Sequence, residues 1–200
     1  MENDRKRDVA PLAVRMRPRT LDEVVGQTEA VGEGSWLRAA IENDTLSSVI
    51  LFGPAGTGKT SLAHVIAEST RATFVEVSAI GGTVSDLRRE IDAAEKRLVM
   101  GGLRTILFVD EIHRFNRSQQ DALLHAVEDR LVVLVGATTE NPFFEVNSAL
   151  ISRSRIVELH SLSDDEIAEL VGRAVEDARG LAGCYALEDE ATSAIVTLAG

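Results

Sequence analysis

Residues Gly53-Pro54-Ala55-Gly56-Thr57-Gly58-Lys59-Thr60 follow an apolar run, Val49 to Phe52, and lead into a helical pattern. No other stretch restricts the fold as much. Glycines let successive backbone N–H groups turn toward one point, and a helix starting near Lys59 aims its positive dipole end at the same point. The pattern reads as a phosphate-binding loop formed by Gly53, Pro54, Ala55, Gly56, Thr57, Gly58, Lys59, Thr60 and Ser61. Lys59 is expected to reach the β- and γ-phosphates, and the Thr60 hydroxyl to ligate Mg²⁺. The competing reading is a glycine turn ahead of an ordinary helix. Composition weighs against it: of 21 basic residues only Lys6, Lys59 and Lys96 are lysines, so a rare side chain stands where phosphate chemistry asks for one.

From Val49 onward, short apolar runs alternate with helical patterns. Strands are expected at Val49 to Phe52, Thr73 to Val77, Thr105 to Val109, Leu131 to Gly136 and Ile156 to Leu159. Helices are expected at Lys59 to Ser69, Ser85 to Val99 and Ser118 to Asp129. That alternation predicts an α/β fold, a parallel five-stranded sheet sandwiched by helices, with the loops after the strands gathered along one edge. Upstream, Ser35 is expected to cap a helix through Ile41, and Pro11 to Gln27 to be irregular with one helical turn from Thr20. After Leu159 the strand signal stops. Ser163-Asp164-Asp165-Glu166 predicts a capped helix running to Gly180, and a second helix starts near Glu188. The chain thus divides into a solvated tail (1–10), a nucleotide-binding core (11–160) and the start of a small all-α lid (161–200). It ends while a helix is in progress, as a piece of a longer protein would.

A net charge of −11 argues against indiscriminate nucleic-acid binding, which needs clustered basic residues. Local contact through Arg114 and Arg117 remains open. No stretch approaches the ~20 apolar residues of a membrane span, and the N-terminus is charged where a secretory signal would be apolar. The expected location is the cytoplasm, with no membrane partner. The single Cys184 rules out an internal disulfide and a cysteine-rich zinc site.

Other positions carry chemistry. The run Thr105 to Val109 ends in Asp110 and Glu111. Beside a phosphate-binding loop, Asp110 is expected to hold Mg²⁺ and Glu111 to orient and deprotonate the attacking water. The alternative is an acidic pair capping a helix. His113 completes Asp-Glu-x-His and reads as a packing or coupling residue. Thr139, with Thr138 close behind, follows the fourth strand and is placed to sense the γ-phosphate; the alternative there is a plain Asn141-Pro142 turn. Arg153 precedes the final strand and is either a surface charge or, if protomers associate, a finger reaching a neighbour's γ-phosphate.

Together, Arg17-Pro18, Val24-Val25-Gly26-Gln27, the glycine loop, Asp110 to Asn116, Gly136 to Pro142 and Ser152-Arg153 resemble an AAA+ ATPase of the clamp-loader and RuvB branch. The stretches DEIHRFNRSQQDALL, GATTENPFFEVNSALISRSR and PLAVRMRP resemble, more narrowly, the replication-associated recombination protein A family, related to the Werner helicase-interacting protein. The resemblance runs from Pro11 to Gly200. It implies that Arg17, Pro18 and Val25 border the adenine, that Lys59 and Thr60 bind phosphate and Mg²⁺, that Asp110 and Glu111 are Walker B, that Thr139 is sensor 1 and that Arg153 is the finger. It implies ATP as nucleotide, DNA as partner, contact with replication proteins such as single-strand binding protein, and homo-oligomers formed through a C-terminal region beyond residue 200. Ala55 replaces a proline frequent in that family's loop, where the backbone does the binding. The sensor 2 arginine falls beyond the chain. The function so implied is a DNA-dependent ATPase at stalled forks or DNA ends. A helicase-type translocase and a non-hydrolysing, ATP-stabilised scaffold are the alternatives.

Overall fold

The computed structural model describes residues 10–79 and 83–199. All five expected strands form, each within two residues of its expected bounds: β1 (Val49–Phe52), β2 (Thr73–Ser78), β3 (Thr105–Asp110), β4 (Val132–Thr138) and β5 (Arg155–Glu158). They make one parallel sheet in the order β2-β3-β4-β1-β5. The helices are α1 (Leu12–Arg15), α2 (Thr28–Val31), α3 (Trp36–Glu42), α4 (Lys59–Ser69), α5 (Val84–Val99), α6 (Arg117–Glu128), α7 (Pro142–Glu145), α8 (Ser148–Ile151), α9 (Asp164–Glu176) and α10 (Asp189–Ala199). The tail expected at residues 1–10 lies outside the described residues apart from Ala10, as does Gly200.

The apolar runs become strands because both faces of the sheet are covered. Successive side chains of β3 point to opposite faces. Ile106 and Phe108 enter a core with Val49, Leu51 and the α3 and α4 side chains Ile41 and Leu62. Leu107 and Val109 enter a second core with Ile50, Leu87 of α5 and Leu123 of α6. The right-handed crossovers bring the C-terminal ends of all strands to one edge. Reciprocal caps fix three helix starts: Thr83 with Asp86, Asn116 with Gln119, and Ser163 with Glu166.

The sequence reading differs from the structure in the short elements. Pro11 to Gln27 is not simply irregular, because Leu12–Arg15 form a helical turn ahead of the expected one at Leu21–Glu23. The single turns α2, α7 and α8 are too short for hydrophobic periodicity to reveal. The lid helix stops at Glu176, short of Gly180. There Asp177 turns extended, and its carboxylate accepts from the Arg179 backbone N–H at 2.7 Å. That side chain competes with the helix for the backbone donor, as aspartate does at helix ends.

Asp177 also pairs with the Arg179 guanidinium (2.7 Å), which reaches on to Glu23 (3.0 Å). Hydrogen bonds from the Arg179 side chain and then its backbone hold the Asp177 carboxyl down from 3.8 to about 2. A depressed carboxylate contributes stability that is present above its ordinary pKa and lost as the pH falls through the folded value. Melting temperature should therefore drop between pH 3.8 and about 2, and Asp177→Asn should flatten that part of the curve. Phe108, fully buried, should be costlier: Phe108→Ala is expected to lose about 3–5 kcal/mol in urea unfolding.

Candidate active site

β1 ends in the glycine loop, and α4 begins at Lys59. Gly53 has φ 156° and lies so close to β5 that a Cβ would meet the Leu159 carbonyl at 2.1 Å, which leaves no room for a side chain. Lys59 is 7% exposed and lies along the loop, its Nζ donating to the carbonyls of Gly53 (2.7 Å) and Pro54 (2.6 Å). Burial lowers the Lys59 pKa, and the carboxylates of Glu111 and Asp110 oppose the shift. Thr57 closes the loop by donating to the Pro54 carbonyl at 3.0 Å.

The end of β3 lies beside this helix start. The Thr60 hydroxyl donates to Asp110 Oδ2 at 3.3 Å, and Asp110 Oδ1 accepts from the Glu111 N–H at 3.1 Å. Glu111 holds a left-handed backbone (φ 53°, ψ 48°), an uncommon state for a non-glycine residue and one that recurs at functional sites. Its Oε2 lies 3.2 Å from His113 Nε2 and 3.6 Å from Arg114 Nε. β4 emerges between β3 and β1. At its tip Thr138 is fully buried, with its hydroxyl 2.9 Å from His113 Nδ1, while Thr139 is half-buried in the loop beyond.

Arg17, Pro18 and Val25 line a cavity of about 500 Å³ together with Gly56, Thr57, Gly58 and Ser61. Its remaining wall is largely apolar and comes from the N-terminal segment, with Leu12 and Met16, and from the segment after β5, with Leu162, Ile167 and Val171. Ala55 is exposed in the loop, and Pro54 contributes its carbonyl. Arg153 stands apart from these residues. It precedes β5 at the sheet's other edge, beyond Arg155, which pairs with the first residue of β1. Roughly 10 Å of strand separates that edge from the glycine loop. Arg153 pairs there with Glu128 at 2.6 Å and donates to the Ala149 carbonyl at 3.0 Å.

Gln27 escaped the assignment of roles. It is buried, and its Nε2 donates to the carbonyls of Thr57 (3.3 Å) and His160 (2.8 Å), while its Oε1 accepts from the His160 N–H at 3.1 Å. One amide therefore ties the N-terminal segment to the glycine loop and to His160, just after β5. A buried polar residue beside Gly26, in a segment flanking a phosphate loop, was the available signal.

The residues fit a nucleoside triphosphate with a divalent cation. The hydroxyl of Thr60 and the carboxylate of Asp110 are the hard oxygen donors Mg²⁺ takes, Lys59 is a buried cation at the phosphate loop, and the neighbouring cavity is apolar enough for a base.

The sequence model of the family described as Holliday junction DNA helicase RuvB P-loop domain matches residues 16–150. The chain is 48% identical to replication-associated recombination protein A of Escherichia coli over 94% of its own length and 42% of that protein's. An uncharacterized AAA domain-containing protein of Mycobacterium tuberculosis is 49% identical over 95% of this chain and 42% of its own length. The chain belongs to the replication-associated recombination protein A family. It spans about two fifths of the length of these relatives. Among solved structures, the Thermotoga maritima RuvB Holliday junction branch migration motor superposes with a TM-score of 0.71 at 32% identity, over 91% of this chain and 59% of that one. The AAA+ α/β fold expected from the sequence is the fold of this family. Among the described residues, no helix is long and apolar enough to cross a membrane.

Replacing Gln27 with leucine leaves buried backbone groups without their partner, at about 1–3 kcal/mol. Gln27→Leu should lower stability by that amount in urea unfolding and weaken binding of a fluorescent ATP analogue; unchanged affinity would show that the lid seam does not shape the cavity.

Proposed function

We propose that this chain binds and hydrolyses ATP and that the protein uses the hydrolysis to remodel DNA at stalled replication forks or DNA ends. The observation that carries the reading is the contact of Thr60 with Asp110 at 3.3 Å, beside Lys59 and next to Glu111. Residues 11–160 form the nucleotide-binding core and 161–200 the lid portion. Gly53 to Ser61 cradle the phosphates through backbone N–H groups, and Lys59 neutralises charge on the β- and γ-oxygens. Thr60 and Asp110 would hold Mg²⁺, which when bound would supply positive charge to offset that of the phosphates. Glu111 takes the proton of the attacking water, and Thr139 orients that water or the γ-phosphate. Arg17, Pro18 and Val25 border the base. Arg153 lies at the far edge of its own sheet, so as a finger it serves the site of a second copy.

DNA is the proposed partner, touched by the exposed Arg114 and Arg117. Contacts with a single-strand binding protein and self-association into homo-oligomers are part of the same proposal. The likeness to RuvB, whose solved structure is named a branch migration motor, favours a DNA translocase as the second reading.

Glu111→Gln should keep ATP binding and lower turnover at least about 100-fold, the low end for loss of a general base. An ATP-stabilised scaffold would be indifferent to that change. Turnover per protomer should rise with protein concentration, and Arg153→Ala should remove that rise along with about 10³-fold in rate. Forked or single-stranded DNA should stimulate turnover. Arg117→Ala should blunt the stimulation with basal turnover kept, whereas Arg114→Ala should alter both because Arg114 also touches Glu111. Turnover that is independent of both concentration and DNA would overturn the partner assignments.

A further inference from the structure

Glu111, the proposed base, stands at the end of a chain of polar contacts that begins in the loop carrying Thr139. The Glu140 N–H donates to Thr138 Oγ1 at 3.0 Å, which closes a tight turn around Thr139. The Thr138 hydroxyl lies 2.9 Å from His113 Nδ1, and His113 Nε2 lies 3.2 Å from Glu111 Oε2. Thr138 is fully buried and the His113 side chain is 14% exposed, so water competes little for these groups.

A ring protonated on one nitrogen can serve both contacts in only one way. An ionised carboxylate only accepts, so His113 Nε2 carries the proton that faces Glu111. A neutral imidazole then has a bare Nδ1, and the Thr138 O–H donates to it. The Thr138 proton has one other acceptor in reach, the Glu140 carbonyl at 3.1 Å. If the hydroxyl turned to that carbonyl, His113 Nδ1 would need a proton to keep its bond to Thr138, and the neutral ring would lose its donor to Glu111. Arg114 Nε is the other charged group at the same Glu111 oxygen, at 3.6 Å.

We propose that His113 is a positioning residue that fixes the Glu111 carboxylate and, through Thr138, couples it to the loop carrying Thr139. A change in that loop when nucleotide binds then reaches the base by reorienting one buried hydroxyl. The proposal rests on the reading of Glu111 as the base.

Long-range ¹H–¹⁵N spectra of the four histidine rings in the full chain test it, with the His113 signals identified by their loss in His113→Gln. The expected state is a neutral ring protonated at Nε2. Thr138→Val should shift Nδ1, and Glu111→Gln should shift Nε2. Adding Mg²⁺ with a non-hydrolysable ATP analogue should move both signals in the unaltered chain, but leave Nε2 still in Thr138→Val. A ring protonated at Nδ1, or one indifferent to Thr138→Val, overturns the proposal and needs no turnover to be seen. In turnover, His113→Gln and Thr138→Val should each lower kcat about tenfold with KM within about twofold, and the double variant should lose no more than either single one, as coupled sites do. Thr138→Ser should restore the rate. Additive losses overturn the coupling. Turnover surviving Glu111→Gln would instead remove the assignment of the base and leave the ring result standing.

Discussion

The insertion of β4 between β3 and β1 is the constraint on which the site depends. Gly136 of β4 stands opposite Val109 on one side and Ile50 on the other, and Thr138 opposite Phe52. The pairing continues one step past β1, with the Gly53 N–H donating to the Thr138 carbonyl at 3.3 Å. The tip of β4 therefore emerges between the lysine of one neighbour and the carboxylates of the other. A slip of one residue would turn every side chain of the strand over. The Thr138 hydroxyl would leave His113, and apolar side chains from each core would face the wrong layer. Two cores that interlock through alternating residues of β3 and β4 make that slip costly, so packing far from the nucleotide fixes its chemistry.

The seam between core and lid is built differently. Neither α9 nor α10 contains a fully buried residue, and much of what holds them is polar. Arg173 donates to the Glu23 carbonyl at 2.8 Å, and Arg15 donates to the carbonyls of Arg179 and Gly180, each at 2.9 Å. Gly26, at φ 76°, lets the chain pass under Leu162. Such contacts individually contribute about 0.5–1.5 kcal/mol, less than a core side chain contributes. The helices after β5 are thus held less by apolar burial than the sheet is, while Gln27 ties His160, at their approach, to the phosphate loop.

The sheet was legible because β1, β3 and β4 are near-continuous apolar runs ended by glycine, charge or a hydroxyl, and because a phosphate loop demands a strand before it and a helix after it. Lys59–Ser69 could be bounded to the residue for that reason. Legibility failed where structure comes from tertiary partners rather than local pattern. Nothing local marks α1 or α8 as helical, and the Asp177–Arg179 clamp that ends α9 early includes Glu23, more than 150 positions away. Within the site, residue types at strand ends pointed to Lys59, Thr60, Asp110 and Glu111. The bonds that orient them were hidden, because His113 finds Thr138 and Gln27 finds His160 only once the chain has folded.

Arg153 illustrates how a residue can be committed and free at once. Its pair with Glu128 is short, yet both side chains are more than a third exposed or close to it, at 42% and 34%. An ion pair in such surroundings is worth about 0–1 kcal/mol, since water and salt recover most of what separation loses. In the proposed finger role, a neighbour's triphosphate would offer the guanidinium a more highly charged and bidentate partner. Glu128 therefore does not oppose transfer of Arg153 to a second protomer. The other bonds of Arg153, to the Ala149 carbonyl and the Ser152 hydroxyl, each at 3.0 Å, are exposed as well, so water replaces them at little cost.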